Sequence, residues 1–354
     1  MALDGWKERL FRRYLYWLCR PARVRRRLAI LAKGARKVPP VEGDCLHVAA
    51  LQVQLELYKD PLGYVEAMHR RVREAAAMGA QLVAFPEYNN LALLGMLPGI
   101  QTMGEAASGG EQEVAAGTAG PAPSVADVVR YVGPVIAPLL HTLYSNLAVT
   151  YGLYLMAGSF LLPDEDNVVN RAFLYGPGGQ LVGTQDKVHL TPMEVDWGIA
   201  TDTDFHVFDT PAGKIATPVC MDATYFETFR ILELKGAEMV IIPIANPEPY
   251  NHWLALRGIW PRVQECPVYG IKSALVGNLL GFTFTGRAGV FAPAELTVDG
   301  SGVLDIVTSS EEEGMAMAVL DLAALQELRR DHPWRDSNLT LYRRYFPQVY
   351  QSIP

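Results

Sequence analysis

Apolar and polar positions repeat along this chain with two periods, and the period changes near residue 46. In residues 5–20 the repeat is helical: Trp6, Leu10, Phe11, Tyr14, Trp17 and Leu18 fall on one side, Arg9, Arg12, Arg13 and Arg20 on the other, and Pro21 ends the pattern. A second basic helix is predicted from Val24 to Ala35, with Val24, Leu28, Leu31 and Ala35 on its stripe, before Val38-Pro-Pro-Val41 breaks it. From Leu46 the chain alternates short apolar runs with helical repeats. Strands are predicted over 46–53 and 81–85, with a helix over 62–78 between them.

A long apolar helix is predicted from Val125 to about Tyr151, bent at Gly133-Pro134 and Pro138. Ahead of it, residues 99–123 lack periodicity and read as a flexible insertion. Later strands are predicted over 153–161, 168–175, 180–186, 205–208, 214–220, 238–243, 268–276, 287–292, 303–308 and 315–321, and helices over 225–235 and 252–264. This is the pattern of an α/β fold. Three segments follow from it: a basic amphipathic extension at 1–40, one catalytic-sized domain at 41–345, and a C-terminal tail at 346–354.

Charge adds an asymmetry. The formal net charge is −7, yet residues 1–40 carry twelve Lys or Arg against Asp4 and Glu8. An acidic body with no base-stacking motif argues against nucleic acid as a partner. Two basic helices rich in Trp, Tyr and Arg fit an anionic membrane surface instead. The alternatives are that they pack on the protein's own surface or on a second subunit, or form a cleaved presequence. Cys19, Cys45, Cys220 and Cys266 are widely spaced, so neither a disulfide framework nor a zinc site is expected. No uninterrupted apolar run reaches the roughly 20 residues that cross a bilayer. The expected location is cytoplasmic, peripheral on the inner face of a membrane.

Three short segments carry chemistry. Cys220 ends the apolar run Lys214-Ile-Ala-Thr-Pro-Val-Cys220 directly before a helical stretch, where backbone N–H groups and a helix dipole favour a thiolate and hold an oxyanion. Leu82-Val-Ala-Phe-Pro-Glu87 is a strand ending in a carboxylate. Gln185-Asp-Lys187-Val-His-Leu-Thr-Pro-Met-Glu194 supplies an ammonium and a second carboxylate. Singly each is weak, because a cysteine at a strand end is usually an inert small hydrophobe. Together, in that order and at strand ends, Glu87, Lys187 and Cys220 make the reading specific.

These residues resemble the Glu-Lys-Cys triad of the nitrilase, or carbon–nitrogen hydrolase, superfamily, in its amidase-like branch. The likeness extends over about residues 46–321: Cys220-Met-Asp222 with Tyr225, Glu227 and Arg230, then Gly236-Ala-Glu-Met-Val-Ile-Ile-Pro243, Arg262-Val-Gln-Glu265 and Gly286-Arg-Ala-Gly-Val-Phe-Ala-Pro293, are similar to successive family elements. The resemblance implies a four-layer αββα sandwich and assembly as a homodimer or higher homo-oligomer. It also implies roles: Cys220 as nucleophile, Glu87 as general base and acid, Lys187 with the Met221 N–H as oxyanion donors, and Glu194 as a second glutamate that orients substrate or Lys187. Met221, Thr224 and Asn246 are expected to line the substrate pocket. Asp222 is expected to support the turn after Cys220, and His189 to act as a supporting donor. No cofactor and no metal are implied.

Thr224 stands where many family members that act on small acids have Arg, which argues against a carboxylate-bearing substrate. With the apolar segment 91–98 and the basic arm, this gives the expectation of a lipophilic small-molecule amide met at a membrane surface. A nitrilase or an N-acyltransferase would use the same triad, though Met221-Asp222 is not the aromatic-Glu pair usual after a nitrilase nucleophile. A catalytically silent membrane scaffold is the alternative outside enzymology, disfavoured by the intact triad.

Overall fold

The basic N-terminal segment folds as two helices, α1 (Gly5–Leu18) and α2 (Pro21–Leu31), in a computed structural model that describes residues 5–100, 124–279, 281–331 and 338–351. The chain continues through β1 (Cys45–Gln54), α3 (Pro61–Ala77), β2 (Leu82–Ala84), α4 (Val125–Tyr151), β3 (Tyr154–Asp164), β4 (Asn167–Tyr175), β5 (Leu181–Asp186) and α5 (Pro192–Asp196). Next come β6 (Val207–Thr210), β7 (Gly213–Ala216), α6 (Phe226–Leu234), β8 (Met239–Ile244), α7 (His252–Arg257) and α8 (Trp260–Glu265). The last elements are β9 (Tyr269–Leu279), β10 (Phe282–Phe284), β11 (Gly289–Phe291), β12 (Val303–Ile306), β13 (Gly314–Asp321), α9 (Leu322–Asp331) and α10 (Leu339–Gln351).

The strands make two leaves, β5-β4-β3-β2-β1-β13 and β6-β7-β8-β9-β11-β12. They join where Gln52–Gln54 of β1 runs parallel to Ala274–Val276 of β9. Alternation along β1 explains why the leaves face each other. Val48 and Ala50 point into the core shared with Met239, Ile241 and Ile271, while Ala49, Leu51 and Val53 point outward under α3 and α4. On the second leaf Phe229 of α6, Val263 of α8 and Leu325 of α9 are buried in a cluster continuous with that core. The expected αββα sandwich is therefore present, with the N-terminal helices added outside α3 and α4.

Helix α4 keeps its predicted bounds. A Ser124–Asp127 capping box starts it and Gly152, at φ 66, ends it. By length and composition it is apolar enough to cross a membrane. In this fold Leu139, Leu143 and Leu147 are fully buried against the sheet, each burial worth about 2 kcal/mol.

Several expectations need correction. The side of α1 that docks is Phe11, Leu15, Leu18 and Cys19, which join the core of α3 and α4; Trp6, Leu10, Tyr14 and Trp17 point outward and are about half exposed. Two apolar stripes, and not one, share this short helix. Helix α2 stops at Leu31, four residues before the predicted end. The strand predicted to reach Cys220 ends at Ala216, before Pro218, which has no N–H for a ladder. The helix predicted over 252–264 breaks at Gly258-Ile259, and Pro261 opens the second piece. Residues 91–96 form a buried 3₁₀ turn packed on the core, so this apolar segment offers no outward face. The predicted tail at 346–354 is helical through Gln351, within α10. The expected insertion at 99–123 lies, from residue 101 on, outside the described residues.

Candidate active site

Two backbone kinks present the reacting groups. Cys220 opens a 3₁₀ turn with φ 45, and Tyr88, directly after Glu87, has φ 54. Both are left-handed conformations that non-glycine residues adopt at a cost of about 1–3 kcal/mol, kept where the surroundings hold them. A glycine completes the arrangement. Gly158, at φ 82, sits where a β-carbon would lie 2.0 Å from the Pro86 carbonyl oxygen, so the β3 bulge can press against the chain that carries Glu87.

The predicted groups converge. Lys187 Nζ lies 2.9 Å from Glu87 Oε1 and 2.8 Å from Glu194 Oε2, all three side chains being almost wholly buried. The Cys220 thiol lies within the fields of both the Glu87 carboxylate and Lys187. Glu87 is fixed further: Oε2 accepts from the Ala245 N–H at 2.9 Å, and Oε1 accepts from Asn170 Nδ2 at 2.9 Å. Glu194 Oε1 accepts from the Tyr88 hydroxyl at 2.6 Å and from Asn170 Nδ2 at 3.1 Å, while Oε2 accepts from the Thr191 N–H at 2.9 Å.

The electrostatics separate the two carboxyls. Burial pushes the Glu87 carboxyl above the ordinary glutamate value, against the opposing pull of Lys187. Burial also acts on Glu194, but there Lys187, the Thr191 N–H and the Tyr88 hydroxyl win, and its carboxyl is held below the ordinary value. Lys187 is desolvated as well, yet Glu87, Cys220 and Glu194 hold it protonated, above the ordinary lysine value. Carboxyls pushed apart in this way suit different duties, one exchanging a proton and the other staying ionised. The expectation that the helix junction makes Cys220 a thiolate is corrected. Burial first, then the Glu87 charge, drive its thiol well above the ordinary cysteine value, so it rests protonated beside a base.

Around this cluster lies a cavity of about 460 Å³ lined by Glu87, Lys187, Cys220, Met221, Thr224 and Asn246, among others. Asn246 Oδ1 is 3.8 Å from Cys220 Sγ, and the Asn246 carbonyl is held by the Thr285 N–H at 3.0 Å. The Thr224 hydroxyl turns toward the Met221 sulfur at 3.8 Å. Asp222 ties the lysine segment to the nucleophile turn: it accepts from the His189 N–H at 2.7 Å, from His189 Nδ1 at 2.9 Å and from the Val219 N–H at 2.8 Å. No group of three or more metal-ligating side chains exists among the described residues. Tyr88, Asn170, Ala245 and Lys272, a buried cavity residue, were not foreseen as part of the site.

Comparison with known proteins agrees with this fold. The family model described as carbon–nitrogen hydrolase matches residues 47–330. A nitrilase of Pyrococcus abyssi is 30% identical over 188 residues, covering 53% of this chain and 67% of that protein. The omega-amidase NIT2-A of Xenopus laevis is 28% identical over 206 residues, covering 54% and 70%. The probable hydrolase YhcX of Bacillus subtilis is 29% identical over 196 residues, and the match spans only 38% of that longer protein. Among solved structures, a carbon–nitrogen hydrolase from Helicobacter pylori superposes with a TM-score of 0.62 at 20% identity, covering 85% of this chain and 97% of that one. An amidase of the nitrilase superfamily from Nesterenkonia gives 0.58 at 20%, covering 83% and 98%. These likenesses concern the fold. A variant of the Nesterenkonia amidase carries the acetamide moiety of fluoroacetamide covalently at its active-site cysteine.

Proposed function

This chain belongs to the carbon–nitrogen hydrolase family, and from that premise we propose that it hydrolyses a linear, non-peptide amide through a thioester on Cys220. The observation that carries the reading is the convergence of thiol, carboxylate and ammonium in one cavity. Glu87 takes the Cys220 proton as sulfur attacks the carbonyl carbon, then delivers it to the departing amine. Lys187 has three N–H donors, of which Glu87 and Glu194 occupy two, leaving one for the oxyanion beside the Met221 N–H. After the amine leaves, Glu87 activates the water that cleaves the thioester. Glu194 stays ionised, fixes Lys187 and balances its charge. The adduct on the cysteine of the Nesterenkonia amidase is consistent with this chemistry.

Intact-mass measurement after a brief mix with a panel of primary amides tests the reading. A Cys220-dependent acyl adduct and released ammonia are expected, and unchanged hydrolysis by Cys220→Ala would overturn it.

We also propose that the outward stripe of α1 meets an anionic membrane surface. Trp6, Leu10, Tyr14 and Trp17 are exposed on it beside Arg9 and Arg13. Deleting residues 1–40 would remove buried core, so the clean test is flotation with phosphatidylserine vesicles of wild type against a Trp6→Ser, Leu10→Ser, Tyr14→Ser variant. Equal partitioning would remove the anchoring idea. The expected homo-oligomer is proposed to form between copies across α6 and α10. These present exposed Phe226, Ile231, Leu234, Phe346 and Val349, and are linked by the Tyr350 hydroxyl to Glu227 at 2.8 Å. Light scattering of wild type against Phe226→Asp, Leu234→Asp reads it.

A further inference from the structure

Among the described residues, Lys272 is a cation buried in the cavity wall without a counter-ion. It lies within β9, in the otherwise uncharged run Tyr269–Leu279, and is only 4% exposed, yet it lines the same cavity as Cys220 and Lys187. Its ammonium has one acceptor among the described residues, the Ala255 carbonyl oxygen at 3.3 Å, and no carboxylate there within ion-pairing distance. Its ring neighbour is Phe291, with Nζ 5.5 Å from the centroid. Burial, with the charge of Arg287 adding to it, lowers its pKa to about 8. Arg287 is held over Tyr250 at 4.9 Å, with a buried Nε that lacks a hydrogen-bond partner. Exposed Arg257 adds a third cation at the mouth of the cavity, and the one acid of that region lining it, Glu248, is exposed to solvent.

The cavity is thus polarised. At its catalytic end Lys187 already has two carboxylates of its own. At the other end Lys272 and Arg257 line a volume with no buried anion among the described residues, and Arg287 stands beside it against the lining residue Tyr250. A buried, unpaired charge is destabilising, and chains keep such groups where a ligand completes them.

We propose that Lys272 is a specificity-determining residue that pairs with a carboxylate at the distal end of the substrate's acyl chain. The preferred substrates are then ω-carboxy amides, in which the amide is cleaved at Cys220 while the far carboxylate rests on Lys272, with Arg257 and Arg287 adding to the attraction. The expectation against a carboxylate-bearing substrate rested on Thr224; the structure supplies a cation from a different strand. This proposal builds on the amide-hydrolase reading, and its test is arranged so that the two fail separately.

The first arm is binding to the inactive Cys220→Ala protein. A homologous series of ω-carboxy primary amides, from succinamate upward, is titrated beside chain-matched alkanamides. At least one acid is expected to bind about tenfold or more tightly than its neutral partner, the advantage vanishing in Cys220→Ala, Lys272→Met and surviving in Cys220→Ala, Lys272→Arg. The second arm is turnover by otherwise wild-type protein. Lys272→Met should raise KM for the acid by a similar factor and that for the alkanamide by far less, and the wild-type preference should shrink above pH about 8, where Lys272 loses its proton. Binding that depends on Lys272 without any turnover would retain this proposal and sink the hydrolase. Turnover with no preference for the acid, or equal losses on both substrates in Lys272→Met, would overturn the proposal and retain the hydrolase. An absence of acid preference in both arms overturns it outright.

Discussion

Lys187 and Lys272 are both buried lysines in the wall of one cavity, at 1% and 4% exposure, and they are solvated in opposite ways. Lys187 is held between two carboxylates and keeps its proton more firmly than free lysine. Lys272 has a single carbonyl acceptor among the described residues and holds its proton less firmly, with its pKa near 8. The difference separates a group whose counter-charge is built into the chain from one whose counter-charge must arrive. The first is a finished reaction centre; the second is half of a recognition contact.

The sharpest way to break this contrast is to remove each charge with a side chain of similar length. Lys187→Met leaves Glu87 and Glu194 buried together with nothing between them, a loss of about 3–5 kcal/mol in stability by analogy with broken buried pairs. It also removes an oxyanion donor, so kcat should fall about a hundredfold or more. Denaturant melts and single-turnover acylation read the two effects. A stable Lys187→Met protein with unchanged acylation would mean that the ammonium is structural padding.

Lys272→Met should do the reverse to stability. Because the folded pKa lies near 8 and the ordinary value is 10.5, the unfolded chain binds the proton more tightly, and stability rises as pH climbs through that window. Below pH about 8 the charged form costs the native state on the order of 3 kcal/mol, a cost Met does not carry. The variant should therefore be more stable than wild type at pH 7, by an advantage that fades toward pH 10.5. A succinamate-type ligand should also stabilise wild type alone. If Lys272→Met is destabilising at neutral pH, the ammonium is satisfied within the fold.

How much of this was legible from the residues alone follows the same division. Glu87 and Cys220 each end a short apolar run, and Lys187 and Glu194 share one recognisable local string, so pattern and spacing located them. Their mutual placement depended on strands β2, β5 and β7 lying in one frame, and the resemblance supplied that. Asn170 and Tyr88 escaped because their roles exist only across strands: one amide bridges two carboxylates 24 and 83 positions away. Ala245 contributes only a backbone N–H, which no side-chain pattern reveals. Lys272 had a usable signal, a lone charge inside a buried-strand pattern. In α1 the amphipathic reading found the helix but merged two stripes into one, because Phe11, Leu15 and Leu18 sit beside Trp6, Leu10 and Trp17 and only packing decides which set goes inside.

The smallest expected effect tests how the reaction centre divides its charge. Glu194 and Glu87 compete for Lys187, and Glu194 wins: its carboxyl is held below the ordinary value while burial lifts that of Glu87 above it. In Glu194→Gln a negative neighbour of Glu87 disappears and Lys187 has one carboxylate left to pair with, so both changes lower the Glu87 pKa. Acylation needs Glu87 ionised, so its rate rises with pH through that pKa, and the acid limb of kcat/KM should move to lower pH, by about one unit given a charge at this range. The amide nitrogen falls on the Oε1 side, where the Tyr88 hydroxyl can turn to accept and Asn170 loses its bond to residue 194 but keeps Glu87, whereas Oε2 must still receive the Thr191 N–H. Above the limb the rate should fall only modestly, since a Glu87 with a lower pKa is a weaker base. A limb that stays in place, or moves to higher pH, would mean that Glu194 does not set the charge balance of the centre and serves only to hold Tyr88 and the 191–194 turn.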